Sequence, residues 1–306
     1  MRPFNVHILG CGSASPTTYQ HPTAQVVQYG KKLFMIDCGE ASQVRLREKK
    51  LSFEQIGHIF ISHLHGDHCF GLPGLISSMG LLGRRNDLHL YGPKGLQEAF
   101  LPFLNYFCND LPFECHVHVV DTSKTAVVYE DKSLVVTTLP LEHRVPCCGY
   151  YFQEKEGKRH IKPDMVAFHQ IPKHALNRLA LGEDFVKEDG SVVRNEWVTA
   201  PPTPPRSYAY CSDTSFKPSL AELFQGVDLL YHEATFAEAE KAVAEKTLHA
   251  TASQAAQIAC LAEAKRLLIG HFSARYFSYE VLLNEARAIF PNTDAAYSGM
   301  TISVKE

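Results

Sequence analysis

The stretch ISHLHGDHCFG, residues 61–71, places His63, His65, Asp67 and His68 within six consecutive positions. Neutral imidazole nitrogens and carboxylates bind borderline divalent ions such as zinc at about 2.0–2.2 Å, so these four groups form a credible ligand set. Their spacing does not align them on one helical face and predicts a loop folded around a site, directly after the strand-like run HIFIS. Gly66 and Gly71 are expected to lend that loop backbone freedom. Three other groups stand at the C-terminal edge of an apolar run: His143 in LPLEHRVPCCGY, Asp213 in YCSDTS and His271 in LLIGHFSARY. Each alone is more often structural than a ligand. Loops at such edges gather in layered α/β folds, however, and beside the first motif the three read as further ligands. His58, His89, His116, His118, His160, His169 and His174 lack that setting and read as structural or solvated.

The elements that must position these groups are strands and helices in alternation. Runs rich in Val, Ile, Phe and Tyr (FNVHIL, AQVVQYG, KLFMIDCG, HIFISH, LHLYG, CHVHVV, AVVYED and SLVVTTLPL) predict strands in the first half. SYAYCSD, DLLYHEA, RLLIGH and TDAAYSGMTISV predict them in the second. GLPGLISSMGLLG, GLQEAFLPFLNYF, SLAELFQGV, TASQAAQIACLAEA and YEVLLNEARAIF carry helical patterns. The fold class is therefore layered α/β, and no fixed-period repeat points to a solenoid. From about residue 157 to 205 the pattern breaks into polar and charged turns ending in APPTPPR, which predicts an inserted arm on a single domain spanning 1–306.

Composition excludes several classes. Of 306 residues, 45% are hydrophobic and 21% charged, values of an ordinary globular protein. No apolar run is long enough to span a membrane, and MRPFNVHILGCGSASP is too broken for a secretory signal, so the expected location is cytoplasmic. Nine cysteines without a CxxC pair predict buried thiols and no disulfide framework. A formal charge of −3 excludes a broad basic face but leaves room for local phosphate contacts. GCGSASP lacks the third glycine of a dinucleotide loop and is expected to support the metal floor or approach substrate.

His63, His65, Asp67 and His68 match the HxHxDH signature of the metallo-β-lactamase superfamily. Together with LGCGSASP, IDCGEASQ, YGPKGL, LEHRVPCCGY, HEATF, LHATASQAA and GHFSARY, in that order, the chain resembles the ribonuclease Z family, which trims tRNA 3′ ends. The resemblance covers most of the chain outside the arm, and HEAT followed by the His249 segment and HFSARY are its most specific parts. It implies a four-layer αββα sandwich and two Zn2+ ions, with Mn2+ or Fe2+ as alternatives. His63, His65 and His143 would hold one ion, Asp67, His68 and His271 the other, and Asp213 would bridge them. Asp37 would orient ligand imidazoles. Two ions about 3.5–4 Å apart suit in-line phosphodiester hydrolysis. Asp67 would be the base, and His249, oriented by Glu233, would protonate the departing ribose oxygen. Arg275 is a weaker candidate for phosphate contact.

The implied activity is removal of 3′ trailers from precursor tRNA, leaving a tRNA 3′ hydroxyl and a 5′-phosphorylated trailer, in a homodimer. The alternatives are a small-molecule phosphodiesterase or esterase of the same fold, and a non-catalytic RNA-binding scaffold; the latter would be expected to lack ligands, and none is missing. The arm departs from the family: many bacterial members carry a Gly-Pro-containing motif there, and this arm has no Gly-Pro. Either the arm is rebuilt, with Lys158, Arg159, Lys162, Lys173 and Arg178 supplying the phosphate contacts, or the substrate is something other than precursor tRNA; the rebuilt arm is the expectation.

Overall fold

Apolar and aromatic runs separated by Gly, Pro and Asp turns pair into two seven-stranded sheets. A computed structural model of the chain describes residues 2–305. The first sheet contains β1 (Phe4–Gly10), β2 (Ala24–Tyr29), β3 (Lys32–Ile36), β4 (Ile56–Phe60), β5 (Leu88–Gly92), β6 (Cys115–Val119) and β18 (Thr301–Ser303). Their order is β18-β1-β2-β3-β4-β5-β6. The second contains β7 (Val127–Glu130), β8 (Leu134–Pro140), β9 (Cys148–Glu154), β14 (Ser207–Cys211), β15 (Leu229–Glu233), β16 (Leu267–Gly270) and β17 (Thr293–Ala295), ordered β17-β16-β15-β14-β9-β8-β7.

From β3 to β6 and from β14 to β17 the neighbours are parallel. Parallel neighbours need long crossovers, and the expected helices supply them. Leu72–Leu81 links β4 to β5 and Leu96–Phe107 links β5 to β6. Ala252–Leu261 links β15 to β16, opened by a capping box in which Thr251 accepts from the Gln254 amide. Glu280–Ile289 links β16 to β17, and SLAELFQGV tightens into a 3-10 turn over Pro218–Phe224.

Each sheet buries its outer face under helices. Val26, Met35, Ile59 and Leu90 pack with Leu72, Ile76, Leu96 and Phe100. Ala209, Leu230 and Ile269 pack with Ala255, Ile258, Leu282 and Ala286. Between the sheets lies an aromatic layer, with Phe152 edge-on to Phe34 and Phe60 at 5.9 and 5.7 Å. Full burial of such side chains contributes about 1.5–3 kcal/mol each. Helix, sheet, sheet and helix make the four-layer sandwich that the resemblance implied.

The chain forms two compact units. The larger runs up to Tyr129, through Val136–Phe152 and from Ser207 onward; the smaller comprises Glu130–Val135 and Gln153–Arg206. The smaller unit holds more structure than the expected polar turns. Helices Pro163–Phe168, Leu176–Ala180 and Asn195–Val198 accompany two short strand pairs, β10 (His160–Ile161) with β13 (Thr199–Ala200) and β11 (Phe185–Val186) with β12 (Val192–Val193). They enclose a small core of Ile171, Ala175, Leu179, Val193 and Val198. Asn195 ties it together, its amide donating to the carbonyls of Leu179 and Glu183 at 2.7 and 2.8 Å. These apolar positions are too sparse and the elements too short to show a period in sequence.

Candidate metal centre and active site

Strand ends in both sheets deliver the chemistry. Asp37 follows β3, His63 follows β4, His143 follows β8, Asp213 follows β14, Glu233 closes β15 and His271 follows β16. The four groups of ISHLHGDHCFG lie partly on a short helix, Gly66–Cys69, with His65 at its N-cap and Asp67 and His68 within it. This corrects the expected open loop.

Gly66 and Gly71 also serve differently from expectation, since neither has a positive φ. A Cβ on Gly71 would lie 2.0 Å from the Gly39 carbonyl oxygen, and one on Gly39 would lie 2.5 Å from that of Asp67. Close approach of the two turns, which sets Asp37 beside His68, is what these glycines allow. Left-handed backbone falls instead on Asp37 (φ 55), Asp213 (φ 34), His271 (φ 58), Ala14 (φ 58) and Leu248 (φ 56). Such residues cost free energy and gather at functional sites.

Every ligand candidate from the sequence converges. His63 Nε2 and His143 Nε2 lie 2.9 and 3.3 Å from His65 Nδ1, and His68 Nε2 lies 3.3 Å from His271 Nε2. Asp213 stands between these groups. Its Oδ1 is 3.2 and 3.1 Å from His68 and His271, while its Oδ2 is 3.6 Å from both His63 and His143. Asp67 Oδ2 lies 3.5 and 3.6 Å from His68 and His271 and accepts from the Ala14 amide at 2.8 Å, which brings the GCGSASP loop to the site. Candidate ligand atoms of His63, His65, His143 and Asp213 lie within 4.8 Å of one another, as do those of Asp67, His68 and His271.

The outward nitrogens fix which way each ring presents its lone pair. His143 Nδ1 donates to the Leu248 carbonyl at 2.9 Å, and His68 Nδ1 donates to Asp37 Oδ2 at 2.8 Å. The Ser62 hydroxyl donates to Asp37 Oδ2 at 2.9 Å, so it accepts from His63 Nδ1 at 3.0 Å. The Thr235 hydroxyl donates to Glu233 Oε2 at 2.5 Å and accepts from His271 Nδ1 at 3.0 Å. All four Nε2 atoms therefore turn lone pairs inward, the arrangement typical of metal-binding imidazoles.

The charges are tightly coupled. Burial opposes charge on His68, but Asp213, Asp67 and Asp37 outweigh it and hold its pKa well above the usual value. Burial, then His68, hold His63 well below it. Asp213 is buried too, yet His271, His68 and His63 keep its carboxyl well below the usual range. Three carboxylates thus surround His68, a concentration of negative charge that a bound cation would offset.

Beside the cluster, His249 Nδ1 donates to Glu233 Oε1 at 2.8 Å. Burial works against the proton, but the Glu233 carboxylate raises His249 to about 9. The His249 ring lies 4.9 Å from that of His143 and 5.5 Å from that of His271. Arg275 stacks its guanidinium 4.9 Å from the Phe236 ring, next to His249.

Sequence reasoning missed the side chains that aim these groups: Ser62, Thr235 and Tyr210, whose hydroxyl donates to Asp37 Oδ2 at 2.6 Å. Their one sequence signal is position, each being within three residues of a candidate site residue at a strand end. Cys147 lies 3.8 Å from His63 Nδ1, and burial raises its thiol, one of the buried thiols expected from the sequence.

A helix-sheet-sheet-helix sandwich carrying a His/Asp cluster at its strand ends defines a metallo-β-lactamase-fold protein able to bind metal ions. The fold is that of the human tRNase Z short form (TM-score 0.71, 26% identity, 99% of this chain and 100% of that one). It is also that of YhfI from Bacillus subtilis (TM-score 0.68, 19% identity, 99% of each chain). Ribonuclease Z of Bacteroides fragilis strain YCH46 is 56% identical over 99% of this chain and 100% of its own length. That of Porphyromonas gingivalis strain W83 is 51% identical over the same shares. The chain belongs to the ribonuclease Z family and is a metal-dependent endoribonuclease. A family model described as Anti-Pycsar protein Apyc1 also matches residues 4–154.

Proposed function

We propose that the chain removes 3′ trailers from precursor tRNA by phosphodiester hydrolysis, leaving a tRNA 3′ hydroxyl and a 5′-phosphorylated trailer. The observation that carries this reading is Asp213, whose two oxygens face two separate histidine groups. Inward lone pairs and a carboxylate whose two oxygens face both histidine groups would fit two divalent ions of borderline character, zinc above all. His63, His65 and His143 would hold one, Asp67, His68 and His271 the other, and Asp213 both. The chemistry such a pair supplies when bound is Lewis-acid activation of water and stabilisation of charge on the attacking and leaving oxygens.

The chain's own groups move the protons. Burial opposes charge on Asp67, but His68 and His271 hold its carboxyl well below the usual range, so it stays ionised and can accept the proton of the attacking water. Ala14 fixes one Asp67 oxygen through its amide. On the opposite side of phosphorus, His249 keeps Nδ1–H on Glu233 and presents Nε2–H to the departing ribose 3′ oxygen. Asp37 orients His68, and Arg275 stands near enough to His249 to meet a substrate phosphate.

Precursor tRNA is the partner this reading requires. The segment 157–205 is the proposed tRNA exosite, in a cytoplasmic homodimer. Among the described residues no helix is long and apolar enough to cross a membrane. Four of the five expected cations have partners inside the smaller unit: Lys158 on Asn177, Arg159 on Thr199, Lys162 on the Glu196 carbonyl and Arg178 on Glu183. Phosphate contact by these groups therefore replaces existing contacts.

The test is incubation with a trailer-bearing tRNA and mapping of both new ends. Cleavage leaving a 3′ hydroxyl on the tRNA is expected. An intact tRNA alongside rapid turnover of a small phosphodiester would overturn the reading in favour of a small-molecule phosphodiesterase.

A further inference from the structure

The first sheet carries a second histidine group outside the cluster just described. His58 on β4, His89 on β5 and His116 on β6 are register partners across three neighbouring strands. His118, two residues along β6, shares their face because side chains alternate. The rings of His58, His116 and His118 lie 5.1, 5.1 and 5.2 Å from that of His89. At the first cluster the rings of His63, His65 and His143 are 4.6–5.3 Å apart.

One pair already points ring nitrogens at a common place. His89 Nδ1 lies 3.0 Å from His118 Nε2, within the range of the nitrogen contacts at the first cluster. His118 is exposed and His89 half-buried, so ions in solution reach both. His116 stacks on His89 with its side chain 38% exposed, and its Nε2 lies 3.3 Å from Asp87 Oδ2. His58 stacks on His89 from the neighbouring strand β4, with Nδ1 3.4 Å from the Tyr91 hydroxyl. Burial, then repulsion from His118 and His116, lowers the pKa of His89; burial, then His116, lowers that of His118. Both rings are therefore neutral near pH 7, the state in which imidazole ligates metal.

We propose that His89 and His118, joined by His116 on rotation of its exposed ring, form a surface site for a borderline divalent transition metal, with water completing the coordination. Copper and nickel rank ahead of zinc or close to it for such nitrogen donors, so Ni2+ is a suitable probe. This site does not depend on the RNA reading.

The experiment begins with zinc-loaded, gel-filtered protein titrated with Ni2+ by calorimetry, while released zinc is followed with a chromophoric chelator. The wild type is expected to take up one further equivalent without releasing zinc. His118→Gln should abolish that uptake, and His116→Gln should weaken it, with phosphodiester turnover unchanged in both. No further uptake by the wild type, uptake matched by zinc release, or undiminished uptake by folded His118→Gln would each reduce the ladder to a hydrogen-bonded pair and overturn the proposal.

Discussion

At the scale of single residues, one carboxylate, Asp213, stands between the two histidine groups, and a second, Glu233, accepts from His249, the proposed acid. Asp67→Ala is expected to abolish RNA cleavage while circular dichroism and thermal unfolding remain close to wild type, because Asp67 is only part-buried and meets the ligands at its tip. His249→Ala should slow RNA cleavage by about 10²-fold or more, the usual contribution of an acid, yet slow a nitrophenyl phosphodiester far less, since nitrophenolate leaves unprotonated. Equal losses on both substrates would remove His249 from that role. The pH dependence has a definite sign. With its pKa raised to about 9, His249 stays protonated through neutral pH, and RNA cleavage should fall as pH rises through about 9. Stability gained from its pair with Glu233 is fully present below the ordinary histidine value of 6.5 and is lost over the same alkaline rise. In Glu233→Gln the alkaline limb of the rate profile should move to lower pH. His63, His65, Asp67 and His68 were legible because their chemistry is local in sequence. His143, Asp213 and His271 were visible only as strand-end groups. Ser62, Thr235 and Tyr210 were not legible, because an ordinary hydroxyl gains its role from a partner far along the chain.

At the scale of elements, the site depends on turns forced close together and on candidate ligands, Asp213 and His271, held in left-handed backbone. Gly71→Ala would drive a methyl into the Gly39 carbonyl, and the expected result is a destabilised protein with impaired metal retention, read by thermal unfolding and by zinc content after dialysis. Tyr210→Phe removes one donor to buried Asp37 and should cost about 1–3 kcal/mol in a denaturant titration. Strands with clear alternation and helices with caps were legible. β9 was not, because CGYYFQE follows a run of loop residues and carries no alternating pattern. TDAAYSGMTISV, expected as one strand unit, divides between β17 and β18 in opposite sheets, since the Gly299 turn redirects the chain. Burial decided these cases, and burial depends on neighbours absent from the local sequence.

At the scale of the whole molecule, the segment proposed to hold tRNA leaves and returns at adjacent points. The Glu154 amide donates to the Arg206 carbonyl at 2.9 Å, and their side chains pair at 2.7 Å. Replacing residues 157–205 with a short Gly-Ser linker should therefore spare turnover of a small phosphodiester while raising KM for precursor tRNA, measured side by side. Loss of both activities would make the segment part of the scaffold. The break in pattern marked residues 157–205, whereas the compact unit comprises Glu130–Val135 and Gln153–Arg206, and its internal fold rests on a core too small to leave a period. The spread of the site along the chain has one more consequence. A nascent polypeptide displays His63 to His68 long before Asp213 and His271 have been synthesised, and a strand slipped by one residue would turn its terminal ligand away. An unfinished or misregistered copy therefore lacks part of the His/Asp cluster that would have to close around metal ions.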